Sequence, residues 1–206
     1  HLRLLVRDIE SYDLASSRFG CEVVLCPDMA FALGPLKRLG APDLDVLLLL
    51  RTDKESGCKE TLVKGLPTGW EQTDWLDDDP NMHRRALLDT RLSAVLSLNM
   101  RRLSKVSRRK HYYERVSKER MERGMKLLSR ARFIITDRLH VHIISTLMGI
   151  PHCFLDNTYG KILRFSTAFE TRWTGSHHAS SLPDAMACAR EWLAKADAVS
   201  RDDRGA

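Results

Sequence analysis

Three arginines each follow a short apolar run of the sequence: Arg7, Arg51 and Arg138. If these runs are parallel strands, the arginines lie beyond the carboxyl ends of the strands, where open α/β sheets bind their ligands. A guanidinium there can make paired, charge-assisted hydrogen bonds to a carboxylate or phosphate. The repetition at three equivalent positions favours an anion-binding site. Each arginine also has an aspartate close by in the sequence, so the alternative is that the pairs only fix loops; these aspartates are Asp8, Asp53 and Asp137.

A histidine lies beside the third of these arginines. His140 is two positions after Arg138, and an imidazole titrates near neutral pH, so it can act as a general acid or base. The alternative is a structural hydrogen bond at the start of a helix. His142 points away from His140 in a helix, and no acidic or cysteine residue is spaced to complete a metal site with them. We therefore predict no metal.

Residues 156–161 form a polar turn that follows a further apolar run. Lys161 is placed to bind another anion, and Asp156 and Asn157 are polar candidates for the same site. Turn formation alone would also explain Asp156 and Asn157, because both residue types hydrogen-bond to the backbone of tight turns.

The elements that must position these groups alternate between strand and helix. We predict strands at residues 2–6, 21–25, 45–50, 133–135 and 152–155, and helices at 11–19, 113–130, 141–148 and 182–196. A further helix presents Leu88, Leu92, Val95 and Asn99 on one stripe. Alternation of this kind predicts an α/β fold with a Rossmann-like parallel sheet. Breakers in residues 34–42 predict a linker, and residues 197–206 a frayed tail.

Charge and composition exclude several classes of protein. The chain has 206 residues, a net charge of +6 and no apolar run near the length of about 20 that crosses a bilayer. Five cysteines without a C-x-x-C pair favour reduced thiols in a cytoplasmic protein. Residues 101–132 hold 13 Lys and Arg against three Glu. A solvated helix face is the simpler interpretation, a contact with an anionic membrane surface is the alternative, and no motif supports binding to nucleic acid.

Four segments, in this order, resemble the polysaccharide pyruvyl transferase family. They are Arg7-Asp8-Ile9-Glu10-Ser11, Pro27-Asp28-Met29-Ala30-Phe31, Thr136-Asp137-Arg138-Leu139-His140 and Asp156-Asn157-Thr158-Tyr159-Gly160-Lys161. Two further segments, Gly149-Ile150-Pro151-His152 and Arg172-Trp173-Thr174, are similar to its exopolysaccharide branch. The resemblance covers about residues 2–175.

The resemblance implies a glycosyltransferase-B-like fold with two Rossmann-like domains facing a cleft. Residues 1–34 would then end the first domain, and residues 41–196 would form the second. The chain begins with His1 and enters an apolar run at once. We therefore expect it to be part of a longer protein, and the isolated chain to be inactive.

The resemblance also implies a reaction, in which the enolpyruvyl group of phosphoenolpyruvate is transferred to two hydroxyls of a glycan as a ketal. The acceptor would be an exopolysaccharide, a cell-wall glycan or a lipid-linked precursor, with phosphoenolpyruvate as co-substrate and no other cofactor. The resemblance assigns two catalytic residues, His140 and Arg138. The substrate-binding residues that it implies are Arg7, Arg138, His140, Lys161, Asp156 and Asn157. Asp8 and Asp137 would be supporting residues. His140 either transfers the proton or holds the phosphate.

Two other functions remain open at this stage. One is a nucleotide-sugar glycosyltransferase of the same architecture, which would need an acidic residue placed for a ribose. The other is a domain that binds an anion or glycan without catalysis.

Overall fold

The computed structural model describes residues 1–52, 63–75, 79–96, 105–156, 159–169 and 173–202. Its strands are β1 (Arg3–Val6), β2 (Glu22–Leu25), β3 (Leu44–Leu49), β4 (Trp70–Thr73), β5 (Ala131–Thr136), β6 (His152–Phe154) and β7 (Ser176–His178). Its α-helices are α1 (Ile9–Arg18), α2 (Met82–Leu96), α3 (Lys105–Ser129), α4 (Leu139–Leu147), α5 (Lys161–Ala168) and α6 (Leu182–Asp202), and Met29–Leu33 form a 3-10 turn.

The described strands form two parallel sheets. β1 pairs with β2, and the larger sheet has the order β4-β3-β5-β6-β7 with every neighbouring pair parallel. The prediction of an α/β fold with a Rossmann-like parallel sheet is confirmed. After β3 the chain adds β4 on one side and β5 on the other. This order makes the carboxyl ends of β3 and β5 the topological switch point, the usual ligand site of such sheets.

The larger sheet is buried on both faces, which explains why its central strands are continuous apolar runs. Val46, Leu48, Phe133 and Ile135 pack with the small residues of α6 on one face, whereas Leu47, Leu49 and Ile134 are buried on the other. Because successive side chains of a strand point to opposite faces, no residue in the middle of these strands can be polar without a partner.

Two compact units can be distinguished: residues 1–74 with 128–206, and residues 75–127. The predicted domain boundary, with residues 1–34 apart from 41–196, stays a prediction. Residues 34–42 connect the two sheets of the first unit as an ordered strap. Arg38 donates to the carbonyls of Ser129 and Ala131, and the Leu36 N–H donates to the Leu147 carbonyl at the end of α4.

The predicted stripe of the second unit is not its buried face. Leu88 and Leu92 are exposed (49% and 58%), while Met82, Ala86 and Thr90 are the buried residues of α2. Met82 and Ala86 pack on Val116 of α3, with the Tyr112 ring against them. The small Ala86 lets the two helices approach closely. A prediction that counts only large apolar residues overlooks such a position. The side chain of Val95 and all of Asn99 lie outside the described residues.

The two other long helices extend beyond their predicted ends. α3 begins at Lys105 and runs through Gly124, where an added Cβ would lie 2.8 Å from the Trp75 ring, so the glycine makes room for that indole. α6 continues to Asp202, and the predicted frayed tail is therefore wrong for residues 197–202. No breaker interrupts these residues, and Asp197 pairs with Arg132 at the start of β5. Among the described residues, no helix combines the length and apolar character needed to span a bilayer.

Candidate functional site

Arg7 and Asp28 meet where β1 and β2 end. Arg7 follows β1, Asp28 follows β2, and because the strands are parallel neighbours their carboxyl ends lie side by side. The Arg7 Nη1 atom lies 2.5 Å from Asp28 Oδ2. Asp8, the predicted partner of Arg7, instead caps α1 by accepting hydrogen bonds from the backbone N–H and the hydroxyl of Ser11.

Asp28 is fixed by the 3-10 turn that it begins. Its Oδ1 atom accepts the Ala30 N–H at 3.0 Å, the usual bond of an aspartate cap. Three residues after Asp28, Phe31 stacks on Phe165 of α5 and packs in a cluster with Leu139 of α4. The aromatic anchor and the cap together place the Asp28 carboxylate beside the start of α4.

His140 lies in the first turn of α4, with its Nε2 atom 3.7 Å from Asp28 Oδ1. The His140 side chain is largely exposed, whereas that of Asp28 is only 11% exposed. Burial alone would raise the pKa of Asp28, but the Ala30 N–H, Arg7 and His140 outweigh it, so that the pKa is lowered. One ionised carboxylate therefore joins a predicted anion-binding residue to the predicted acid-base residue.

A second cluster occupies the switch point between β3 and β5. The Arg138 guanidinium pairs with Asp74, which follows β4. Asp137 accepts the Arg51 N–H at 2.8 Å and so ties the loop after β3 to the loop after β5. The hydroxyl of Thr136 donates to the Leu49 carbonyl at 2.8 Å and accepts the Arg138 N–H at 3.1 Å.

Some buried polar atoms of this cluster have no hydrogen-bond partner. Asp137 is 1% exposed, and burial raises the pKa of its carboxyl even though the Arg51 N–H and the charge of Arg138 oppose the shift. Among the described residues, Asp137 Oδ2 and Arg138 Nε are buried atoms without a hydrogen-bond partner. Buried polar atoms without partners are uncommon, and these two make the cluster a candidate for ligand binding.

A pocket of about 550 Å³ opens beside Arg7, and its lining includes Arg7, Asp8, Asp28, Tyr159, Lys161 and Arg164. The Lys161 ammonium lies 5.1 Å from the centre of the Tyr159 ring. Asp156 accepts the Ile162 N–H at the start of α5, so it shapes the turn that presents Lys161. Asn157 lies outside the described residues.

Arg7 and Lys161 thus line one pocket with Asp28, and His140 lies 3.7 Å from Asp28 at the start of α4. Arg138 lies at the switch point with Arg51 and Asp137, two residues before His140. Two aspartates outside the predicted site residues, Asp28 and Asp74, pair with Arg7 and Arg138. The sequence offers a sign of a functional position at Asp28, since this residue follows Pro27 at the end of a predicted strand. Asp74 follows β4 (Trp70–Thr73). This strand has only four residues and is too polar to be predicted from the sequence.

Two buried histidines lie behind the site. The Nδ1 atom of His142 is 2.8 Å from His152 Nε2, and His152 Nδ1 is 2.9 Å from the Ile150 carbonyl. That carbonyl fixes the proton on His152 Nδ1, so His142 must donate from Nδ1, and both rings are neutral. Burial lowers the pKa of His142 to about 4 and that of His152 to about 3.

Comparison with known proteins supplies the family. The sequence model of the polysaccharide pyruvyl transferases matches residues 2–159. The chain belongs to the polysaccharide pyruvyl transferase family. The family expected from the four motifs is therefore confirmed, and the matched stretch contains Arg7, Asp28, Arg138 and His140, while Lys161 lies just beyond it.

Two relatives and one solved structure show how far the similarity extends. Pyruvyl transferase 1 of Schizosaccharomyces pombe is 34% identical over 181 residues, covering 80% of this chain and 39% of that protein. General stress protein 30 of Bacillus subtilis is 26% identical over 161 residues, covering 78% and 40%. The chain thus spans less than half of either relative. A crystal structure of a functionally uncharacterised Klebsiella pneumoniae protein has a TM-score of 0.49 and 18% identity, covering 86% of this chain and 54% of that one.

Proposed function

We propose that this polysaccharide pyruvyl transferase takes its pyruvyl group from phosphoenolpyruvate and places it as a ketal on two hydroxyls of a glycan. The observation that carries the proposal is the convergence of Arg7, Lys161 and His140 around Asp28. A donor with both a carboxylate and a phosphate needs at least two cations at a fixed spacing. Arg138, two residues before His140, adds a further cation at the start of α4.

The reaction proceeds by protonation of the donor and attack by the acceptor. A proton adds to the methylene carbon of phosphoenolpyruvate, and the central carbon becomes an electrophile. One sugar hydroxyl forms a C–O bond to this carbon and loses its proton, and the C–O bond to phosphate breaks. A second hydroxyl then closes the ketal and loses its proton. The products are the ketal and inorganic phosphate, which retains the remaining proton.

His140 has two possible roles in this scheme. As the acid, its protonated imidazole gives the proton to the methylene carbon. As a phosphate ligand, it stabilises the leaving group together with an arginine. The pH dependence of turnover with donors that carry other leaving groups distinguishes the two roles. A leaving group that is a weaker base needs less stabilisation, but the methylene carbon still needs a proton from an acid.

The decisive experiment uses the complete protein with phosphoenolpyruvate and a panel of lipid-linked and nitrophenyl sugars. Phosphate release should accompany a mass gain on the sugar equal to pyruvate less one water. Phosphate release without a modified sugar, or no release with any acceptor, contradicts the proposal. Turnover of a nucleotide sugar instead would favour a glycosyltransferase.

Variants at the two predicted catalytic residues connect the activity to the site. His140→Asn should lower kcat by about 10²-fold or more, the usual contribution of a general acid. Arg138→Lys keeps the charge facing Asp74 but loses the planar fork, and we expect a similar loss. Arg3→Lys, at the exposed opposite end of β1, is the matched control and should keep full activity.

We also propose that the unit formed by residues 75–127 contacts an anionic membrane surface, where a lipid-linked acceptor would be found. This unit has 14 Lys and Arg against seven Asp and Glu, so it is +7, whereas the rest of the chain is −1. On α3, Val106 is 76% and Tyr113 53% exposed. They share one face with Lys110 and with Arg109, whose guanidinium covers the Tyr113 ring. Basic and aromatic residues together are typical of interfacial helices.

Vesicle sedimentation tests this contact. The protein should bind vesicles that contain phosphatidylglycerol and not those of phosphatidylcholine alone, and the double change Arg109→Glu with Lys110→Glu should abolish binding. Changing Lys195, an exposed lysine of α6, to Glu is the control. Equal binding of the double variant and the control contradicts the proposed surface.

A further inference from the structure

We propose that Asp28 is a positioning residue of this site: its carboxylate holds the Arg7 guanidinium until an anionic donor group takes its place, and it orients His140 throughout. The inference rests on the proposed function. It adds a residue that belongs to neither the predicted catalytic nor the predicted binding set, and it assigns the Arg7–Asp28 pair a role in substrate capture.

The division of contacts between the two carboxylate oxygens supports this role. Oδ2 faces Arg7 Nη1 at 2.5 Å. Oδ1 accepts the Ala30 N–H at 3.0 Å and faces His140 Nε2 at 3.7 Å. The oxygen that holds Arg7 is therefore separate from the one that is anchored to the backbone and faces the imidazole. Arg7 can leave Oδ2 without disturbing the arrangement at Oδ1.

Differences in burial identify which partner is fixed and which can move. The Asp28 side chain is 11% exposed and anchored by its cap, whereas that of Arg7 is 40% exposed and lines the pocket. The guanidinium has five N–H donors in a rigid fork, and only Nη1 is engaged by Asp28. An incoming carboxylate or phosphate can thus bind the exposed donors first and then draw the guanidinium from Oδ2.

The ionised state of Asp28 makes it a competitor for the donor. The lowered pKa of Asp28 keeps it negative through the neutral range. A negative charge in contact with Arg7 opposes a second anion at the same guanidinium. Removing this charge should strengthen anion binding, while the loss of the charged partner of His140 should slow turnover.

A purely structural role predicts something different. If Asp28 served only as the cap of the 3-10 turn, asparagine would replace it fully, since Asn and Asp are comparable caps. Asp28→Asn then leaves anion affinity, kcat and stability unchanged. Asp28→Ala would lower stability in either case, because the Ala30 N–H loses its acceptor.

The experiment measures binding and turnover of wild type and Asp28→Asn in the complete protein. Binding of phosphoenolpyruvate and of inorganic phosphate is followed by calorimetry at pH 8.0, above the usual imidazole range. We expect Asp28→Asn to bind both anions about fivefold more tightly and to lower kcat about tenfold, with an unchanged Tm. Glu22→Gln is the matched control. It removes the carboxylate that pairs with Arg3 at the opposite end of the same two strands.

Opposite changes in affinity and kcat support the proposal, and equal binding of wild type and Asp28→Asn overturns it. If phosphate binds more tightly to the variant but no sugar acceptor is modified by wild type, the proposed function fails, and the competition of Asp28 with anions for Arg7 stands. If turnover occurs and Asp28→Asn matches wild type in every measurement, the function stands and Asp28 is only a cap.

Discussion

The buried pair of His142 and His152 should make the protein sensitive to mild acid. Both rings are held neutral in the folded state, because burial depresses the pKa of His142 to about 4 and that of His152 to about 3. In the unfolded chain each imidazole takes up a proton near pH 6.5. Below that pH the unfolded state binds more protons than the folded state, so the free energy of unfolding falls as the pH falls.

The size of the effect follows from these values. Between pH 8 and pH 5 each ring loses about 2 kcal/mol of stabilisation, and the pair about 4 kcal/mol. The loss continues down to the folded-state pKa values and then levels off. The free energy of unfolding of a domain is about 5–15 kcal/mol, so this loss is a large fraction of the total.

Urea unfolding followed by tryptophan fluorescence measures the loss at pH 8, 7, 6 and 5 at constant ionic strength. With a slope of about 2 kcal/mol per molar urea, the midpoint should fall by about 2 M across the series. His142→Gln should halve this change and the double variant with His152→Gln should nearly remove it. His178→Gln, at an exposed position, should leave it intact.

If the double variant retains the full pH dependence of wild type, the two histidines are not its source. If wild type keeps its stability from pH 8 to pH 5, the two rings are not held neutral by folding. Comparing each variant only with itself across pH separates the titration from any loss that the substitutions cause at pH 8.

Two further substitutions test the packing around the site and in the helical unit. Thr136→Val should cost about 1–3 kcal/mol and lower kcat, because the Arg138 N–H and the Leu49 carbonyl lose a buried partner; Thr136→Ser should behave like wild type in unfolding and kinetic assays. Gly124→Ala should lower Tm and shift the fluorescence of Trp75, since the added methyl displaces the indole. A rise in Tm, as expected from helix propensity alone, would contradict the packing argument.

Much of the fold follows from the sequence because its main strands are buried on both faces. Continuous apolar runs such as residues 45–50 and 133–135 are typical of strands in a covered parallel sheet. β4 and β7 escaped prediction since the sheet recruits them at its edges, where polar side chains are tolerated and pairing with a neighbour decides the conformation. The same tertiary override determined which face of α2 is buried.

The site was only partly predictable for a related reason. Arg7, Arg138 and His140 follow strands directly, so their position relative to the sheet is local information. Their partners, Asp28 and Asp74, are 21 and 64 residues away in the sequence. No local pattern indicates that these aspartates approach the arginines, because strand order brings them together.

The strap of residues 34–42 has a consequence for binding. It is hydrogen-bonded beside the start of β5 and at the end of α4, the two elements that meet at Arg138 and His140. The strap thereby connects the sheet that Arg7 follows to the helix that carries His140. The conformational entropy of bringing Arg7 and His140 close together is lost when the chain folds, so it is not a cost of ligand binding.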